Sequence, residues 1–337
     1  MPPDGYEPFL ETILEYPDDD APRLVYADWL DEQGDPRGEF IRVQCELAKL
    51  DQEEPRADEL RDRENALLNL HGEKWRAEIP EWARAKCEFR RGFIEEVTLW
   101  RSDVFAELKI LPAVAPVRRL VLEEIAGKMS EFRLSAAMEF ATELCFLDSR
   151  FEFADLRQLF DAPFAELGYA TELLRLRSLT FLGAGLFDGG VARIALATEL
   201  TNLQRLELVN CRMTAYGLRE LFLCEHLPNL QRLDISESAL GDAGAWELAR
   251  SPHRRCLTHL NLRETQLTNH GIQALAESQI LENLQCLDVS QNKIGDDGAR
   301  ALARGLPSLR RLAFSGNYAS PSGLLALQKR FGKGLKL

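Results

Sequence analysis

Apolar positions recur through the second half of the chain in one frame. Leu203, Leu206 and Leu208 are followed by Met213 and Gly217. The frame returns at Leu230, Leu233, Ile235, Leu240 and Gly244, and again at Leu257, Leu260, Leu262, Leu267 and Gly271. It returns once more at Leu284, Leu287, Val289, Ile294 and Gly298. With Leu176, Leu179, Phe181 and Leu186 ahead of them, the first positions stand 27 residues apart throughout. A fixed period of that length marks stacked structural repeats. The fourth and sixth positions alternate with polar neighbours, as in Arg232-Leu233-Asp234-Ile235-Ser236, which predicts a short strand. After the glycine the spacing turns helical, as in Gly298-Ala299-Arg300-Ala301-Leu302-Ala303, and the small residues let a helix lie close to the strand before it. One strand and one helix cannot bury their own apolar faces, so successive units must stack. An ordinary α/β domain would show longer apolar strands and uneven spacing.

Outside this region the frame loosens. Ile94-Val97-Leu99, Val117-Leu120-Leu122 and a start at Leu144 with Leu147 precede the regular series, although Ser149 interrupts the last of these. Leu309, Leu312 and Phe314 close it, for nine predicted strands. A final helix is predicted over 319–331, with Lys329, Arg330, Lys333 and Lys336 keeping the exposed end of the array in water. The run Leu284 to Ile294 fits Leu-x-x-Leu-x-Leu-x-x-Asn/Cys-x-Leu, with Asn292 at the Asn position; Cys211 fills that position in the unit from Leu203, while Ser238 and Thr265 replace it conservatively. The region therefore resembles the leucine-rich repeat family, in its ribonuclease-inhibitor-like class. The resemblance implies an α/β fold: a right-handed solenoid with a curved parallel sheet inside and helices outside, spanning 87–337 in about nine repeats with a C-terminal helical cap.

Residues 1–86 read as a small all-α domain. Pro8, Phe9, Ile13 and Leu14 predict a first helix ending before Pro17. Asp19 or Asp20 would cap a second, with Leu24, Val25, Trp29 and Leu30 as its apolar side and Gly34 as its stop. Asp35-Pro36 restarts a third carrying Phe40, Ile41, Val43, Leu47 and Leu50, and a charged segment, Asp51 to Arg63, leads into a fourth with Leu67, Leu68, Leu70 and Trp75. Asp18-Asp19-Asp20 lacks the spacing of a calcium loop, so capping is its expected role. The run from Asp18 to Leu30, together with Gly34-Asp35-Pro36-Arg37-Gly38-Glu39-Phe40-Ile41, looks like the repeat-companion domain that precedes leucine-rich repeats in many bacterial proteins. No activity attaches to that resemblance.

Charge sharpens the division. The chain carries −13 overall, and residues 1–86 hold 23 acids against 11 bases, a net of −12. The repeats are thus nearly neutral, without the clustered Lys and Arg that nucleic acid rewards. No nucleic acid and no membrane partner is expected, since no stretch approaches the roughly 20 apolar residues of a span. Seven cysteines with no Cys-x-x-Cys pair suggest neither a zinc site nor a disulfide framework, and no cofactor is implied. Met1-Pro2-Pro3-Asp4 has neither the basic start nor the apolar run of a secretory leader, so a reducing, cytoplasmic setting is expected.

With the fourth and sixth positions turned inward, the third, fifth and seventh face the concave surface. The outward set includes Trp100, Arg205, Glu207, Arg232, Asp234, His259, Asn261, Arg263, Asp288 and Arg311, with Phe146 as a further anchor. Glu207, Asp234, Asn261 and Asp288 form one ladder, and Arg205, Arg232 and Arg311 another beside it. Such a face is either a self-compensated polar surface or a docking site for a protein partner. His259 and Cys286 share adjacent strands in the frame, a superficial nucleophile–base pair with no orienting carboxylate or oxyanion hole in the pattern. The expected function is non-enzymatic protein–protein recognition. The alternatives are a regulator of an enzyme, either a nuclease inhibitor or a GTPase activator, and a thiol enzyme using Cys286 and His259.

Overall fold

The computed structural model describes residues 5–50, 55–100, 102–125, 127–133, 135–147, 151, 153–160, 173–252 and 256–337. The chain divides into two compact units. One comprises residues 1–121 with 135–141; the other comprises 122–134 with 142–337.

The first unit opens with helices α1 (Glu7–Glu15), α2 (Ala21–Glu32), α3 (Arg37–Leu47), α4 (Pro55–Arg76) and the short α5 (Glu81–Arg84). Strands β1 (Cys87–Arg90) and β2 (Phe93–Leu99) follow, then a 3₁₀ stretch (Ser102–Ile110), α6 (Leu111–Val114) and the start of β3 (Arg119–Glu123). Helix α4 begins earlier than its apolar residues predicted, because Ala57 and Leu60 within the charged segment are buried and anchor its first turns; its Leu70 is 75% exposed. Helix α2 turns differently from the predicted apolar side: Val25 is exposed, and Arg23, Tyr26, Ala27 and Leu30 are buried. Ile13, Tyr26, Leu30, Ile41, Cys45 and Phe93 form one core, and Phe40 stacks on Trp75 at 4.7 Å.

Strand β1 was not predicted. It pairs antiparallel with β2 through the two-residue turn Arg91-Gly92, both with positive φ (49° and 91°). Twist-matched hairpins need that geometry, and they are usually marked by Asn-Gly rather than Arg-Gly. Gly92 is required twice over, since a Cβ there would stand 2.2 Å from Ile41 Cγ1. Its N–H donates to Gln44 Oε1 (2.6 Å) and its carbonyl accepts from Arg37 Nε (3.2 Å), which seats the hairpin on α3.

The acidic run before α2 does less capping than expected. Only Asp19 accepts a helix-start amide, from Ala21 (2.9 Å). Asp18 pairs with Arg118 (2.8 Å) and Asp20 with Lys49 (3.0 Å). The helix begins with its N-cap already in αR geometry, so the Asp20 carboxylate points away from the first amides. Behind this run Glu95 of β2 is buried and accepts from Arg23, from Arg118 (2.8 Å) and from Arg91 (3.4 Å).

The second unit contains α7 (Met129–Arg133), β4 (Glu143–Leu147), α9 (Phe153–Phe160) and β5 (Ser178–Leu182); α8 (Ala137–Phe140) lies in the first. Then strand and helix alternate: α10 (Phe187–Ala195), β6 (Arg205–Val209), α11 (Ala215–Leu223), β7 (Arg232–Asp234), α12 (Gly241–Arg250) and β8 (His259–Asn261). The series ends with α13 (Asn269–Ala276), β9 (Cys286–Asp288), α14 (Asp296–Arg304), β10 (Arg311–Ala313), α15 (Pro321–Phe331) and β11 (Leu335–Lys336). Strands β4 to β11 lie side by side in chain order, and the registered pairs are parallel. The period of 27 becomes geometry: Leu179, Leu206, Leu233, Leu260, Leu287 and Leu312 occupy one register row, all buried. Each such leucine contributes roughly 1.5–3 kcal/mol of transfer free energy. Burying them requires the neighbouring repeat.

The Asn position of the frame joins successive turns. Asn292 Oδ1 accepts from the Thr265 and Leu267 amides (3.1 and 2.9 Å), and its Nδ2 donates to Leu262, Val289 and Ser290 carbonyls. One buried amide thus holds two successive turns. Asn317 repeats the arrangement with Ile294, Val289 and Phe314. Just after each strand sits a left-handed residue, namely Asn210, Glu237, Glu264 and Gln291, with Gly183 before them. Their amides continue the inter-repeat ladder, for example Glu237 N–H to Arg263 O (2.9 Å).

A second ladder, unforeseen, runs along the helix starts. Asp188 accepts from the Thr214 amide and hydroxyl (2.7 and 2.8 Å), Asp242 from those of Thr268 (2.8 and 2.6 Å), and Asp296 from those of Ser320 (2.7 and 2.8 Å). Asn269 accepts from the Gly295 and Gly298 amides (2.7 and 3.1 Å). The frame glycines Gly217, Gly271 and Gly323 leave room for these carboxylates: a Cβ at each would lie 2.7, 2.4 or 2.6 Å from the Oδ1 of Asp188, Asp242 or Asp296. Position 215 in this series is alanine and makes no such bond.

Two further expectations are corrected. The irregular unit near Leu144 was framed three residues late: Leu144 pairs with Leu179 and Phe146 with Phe181, so Phe146 points inward and stacks on Phe181 at 4.8 Å. Ala141, small and buried, holds the first position instead of a leucine, and Asp148, Ser149 and Arg150 fall outside the described residues. Arg330 is not a solvating residue either. Its guanidinium donates to the carbonyls of Leu302, Gly305 and Leu306 and lies 4.7 Å over the Phe331 ring, and burial lowers its pKa. It closes the end of α14, a role for which its exposed-looking sequence neighbours gave no signal.

Candidate functional site

Strands β6 to β10 carry two outward rows in strict register. Arg205, Arg232, His259, Cys286 and Arg311 make one row; Glu207, Asp234, Asn261 and Asp288 make the other, with Ala313 at its end. Parallel strands set neighbouring members of a row about 4.8 Å apart. Side chains from Arg205 to Asp288 line a shallow depression of about 230 Å³ floored by Leu233, Leu260 and Leu287. Eight of its lining residues come from these two rows, so the sequence frame located them as one surface.

The acceptor row is engaged from within the protein. Glu207 accepts from Thr180 Oγ1 (3.0 Å) on one oxygen and from Arg205 on the other (2.7 Å to Nε). Asp234 Oδ1 accepts from the Ser236 amide and hydroxyl (2.9 and 2.5 Å), and Oδ2 from Asn261 Nδ2 (2.8 Å). Asn261 Oδ1 accepts from the Arg263 amide and Asp288 Oδ1 from that of Ser290. These bonds correct the expectation for the seventh position. Strands β7 to β9 end at the fifth, and Ser236 and Ser290 fold under their own aspartates and are buried.

The cation row is less engaged. Arg232 is exposed and makes no ion pair or hydrogen bond through its side chain among the described residues. His259 is half-buried and its Nδ1 sits 2.9 Å from Thr258 Oγ1. Burial, then the guanidinium groups of Arg232, Arg311 and Arg205, hold its pKa below the usual histidine range. The imidazole is therefore neutral at pH 7. Its ring partner is a hydroxyl rather than the carboxylate that would orient a general base.

Two predicted site residues lie elsewhere. Arg263 stands beyond the end of β8 and faces Glu237 (3.4 Å) and Glu264 (3.8 Å). Trp100 follows β2 in the first unit, 39% exposed, with Lys86 Nζ 5.4 Å from its ring. No helix among the described residues is long and apolar enough to cross a membrane.

Comparison with known proteins adds the following. The family pattern described as Leucine Rich repeat matches residues 226–249, 253–276 and 281–303. No curated protein matches the chain significantly. Among solved structures, the Rad7–Elc1 complex from yeast is similar with 18% identity and a TM-score of 0.47, over 93% of this chain and 94% of that one. The protein LIC12759 of Leptospira interrogans is similar with 17% identity and a TM-score of 0.40, over 66% and 55% of the two chains. An internalin of Listeria monocytogenes is similar with 18% identity and a TM-score of 0.33, over 63% and 71%. Residues 226–303 are leucine-rich repeats, and the protein has the α/β fold of a leucine-rich repeat solenoid that an all-α stretch precedes in the chain.

Proposed function

We propose that this chain is a non-enzymatic interaction scaffold that binds a protein partner on the outward face of β6 to β10, through Arg205, Glu207, Arg232, Asp234, His259, Asn261, Asp288 and Arg311. One observation carries the reading. Ten side chains in two rows stand in register on rigid strands over buried leucines, so the surface is pre-organised and costs little entropy to engage. The neutral His259 has no orienting carboxylate and stands among three arginines, which supports recognition over thiol catalysis with Cys286. Residues 1–86 are read as a repeat-companion domain of bacterial type with 87–337 as the repeats, and the setting as cytoplasmic; Asp18–Leu30 and Gly34–Ile41 support the former. Arg263, and Trp100 of the first unit, are retained as further candidate partner contacts.

The test is capture from native extract with wild type and with the charge-reversed pair Arg232→Glu and Asp234→Arg, bound proteins being identified by mass spectrometry. A partner held by wild type and lost by the variant supports the reading. A partner held equally by both refutes it and moves attention to the acidic N-terminal region.

A further inference from the structure

The geometry points to an acidic segment of a protein as the occupant of this face, its carboxylate seated on Arg232 between Arg205 and His259. The inference rests on the scaffold reading and adds the partner's chemistry to it. The observation behind it is an asymmetry between the two rows. On the negative side, both carboxylate oxygens of Glu207 and both of Asp234 already accept hydrogen bonds from within the protein. These groups are thus already engaged from within the protein, Glu207 by Arg205 of the cation row itself, and Asp288 through its Oδ1. On the positive side, the Arg232 guanidinium carries five donors and uses none of them on the described residues. It stands one strand from Arg205 on one side and one from His259 on the other. A planar guanidinium with an open fork is the natural receptor for a carboxylate, which it binds through two parallel hydrogen bonds.

The depression beside it gives that carboxylate a floor. Leu233, Leu260 and Leu287 line the bottom, and the second His259 nitrogen is available as a further donor once protonated. Burial, and after it the guanidinium groups of Arg232, Arg311 and Arg205, resist protonation of His259. A bound carboxylate offsets that field and raises the pKa of the imidazole. The sign follows: a group whose pKa is higher in the complex strengthens binding below its free value, and this contribution fades as pH rises through the bound one. Affinity for an acidic segment therefore increases as pH falls toward the lowered pKa of the free imidazole, and binding takes up protons. A polyanion such as nucleic acid is disfavoured, because the chain as a whole carries −13 and this positive row is local.

The experiment is isothermal titration of the full chain at low ionic strength with a synthetic peptide of alternating glutamate and serine, and with its glutamine counterpart. The glutamate peptide binds and the glutamine peptide does not. Arg232→Ala weakens binding about ten- to hundredfold, the range for a charge-assisted contact, while exposed Arg304→Ala on α14 leaves it unchanged. Because Arg232 is exposed and makes no side-chain bond among the described residues, the variant melts like wild type. His259→Ala abolishes the extra affinity gained as pH falls but keeps the dependence on Arg232. Equal binding of the two peptides, no binding of either, or an unaltered Arg232→Ala overturns the inference. Tighter binding of a single-stranded oligonucleotide through the same arginine also overturns it, in favour of a phosphate ligand. If the peptide fails while extract capture is still lost on charge reversal, the acidic partner falls and the scaffold reading stands; if capture is unaffected, both fall.

Discussion

Glu95 holds three arginines in the first unit, and its replacement by leucine should be costly. The carboxylate is 2% exposed, and Arg23, its closest partner, is wholly buried. Without Glu95, Arg23 keeps one hydrogen bond, from Nη1 to the Asp19 carbonyl (3.2 Å), and its Nε is already buried without an acceptor. Burial, then the Arg91 and Arg118 guanidinium groups, lower the pKa of Arg23, and Glu95 is the group opposing that effect. Removing one member of a buried pair costs about 3–5 kcal/mol, because the surviving charge stays in a poor solvent. Arg91 and Arg118 retain Asp20 and Asp18, so their losses fall in the surface range of roughly 0–1 kcal/mol each. Glu95→Leu should therefore destabilise the first unit by about 3–5 kcal/mol, a large share of an ordinary domain's stability. Urea unfolding followed by tryptophan fluorescence isolates the effect, since Trp29, Trp75, Trp82 and Trp100 lie in this unit and Trp246 in the other. The double variant Arg23→Leu with Glu95→Leu should recover most of the loss by removing both charges. A single variant within about 1 kcal/mol of wild type, or a double variant no better than the single, would refute the argument.

Other outcomes follow from other contacts. Asn292→Ala strands two amides and up to three carbonyls, and should cost the second unit about 2–4 kcal/mol in chemical denaturation, whereas Gln291→Ala next to it should be nearly neutral. Ser320 holds Asp296 below the usual carboxylate range, so that link contributes stability above the unfolded pKa and loses it as pH falls through the folded one; Asp296→Asn should flatten the acid limb of the melting curve. Burial pushes the Cys211 thiol up to about 12, while Cys256 is exposed. Iodoacetamide at neutral pH should modify Cys256 first and leave Cys211 untouched until unfolding, as peptide mass mapping would show; early labelling of Cys211 would contradict its place in the core.

Where the 27-residue period was intact, the pattern placed the core: each predicted inward apolar residue is buried, whereas the bonding of Asn292 emerged only from the structure. Legibility failed where one residue substituted for the pattern. Ala141 in a leucine position slipped the frame and turned Phe146 outward on paper. Arg91-Gly92 hid a hairpin, because arginine rarely takes positive φ. Arg23 and Glu95 are charges in a core, and no periodicity rule puts them there. On the strand face the residue types were readable, but which charges were already consumed was not. The serines that occupy Asp234 and Asp288 lie two residues on, in positions that read as outward.

The aspartates at the helix starts have one interruption. Links run from Asp188 to Thr214, from Asp242 to Thr268, through Asn269, and from Asp296 to Ser320, but Ala215 offers nothing to α12. An array whose cohesion is a chain of nearest-neighbour couplings opens first at its weakest joint. The joint between α11 and α12 thus divides the array into two blocks that should exchange hydrogens as separate cooperative units, those C-terminal to Arg232 closing together. Ala215→Asp alone would offer the Gly241 and Gly244 amides the acceptor that Asn269 offers Gly295 and Gly298, and should merge the two exchange classes.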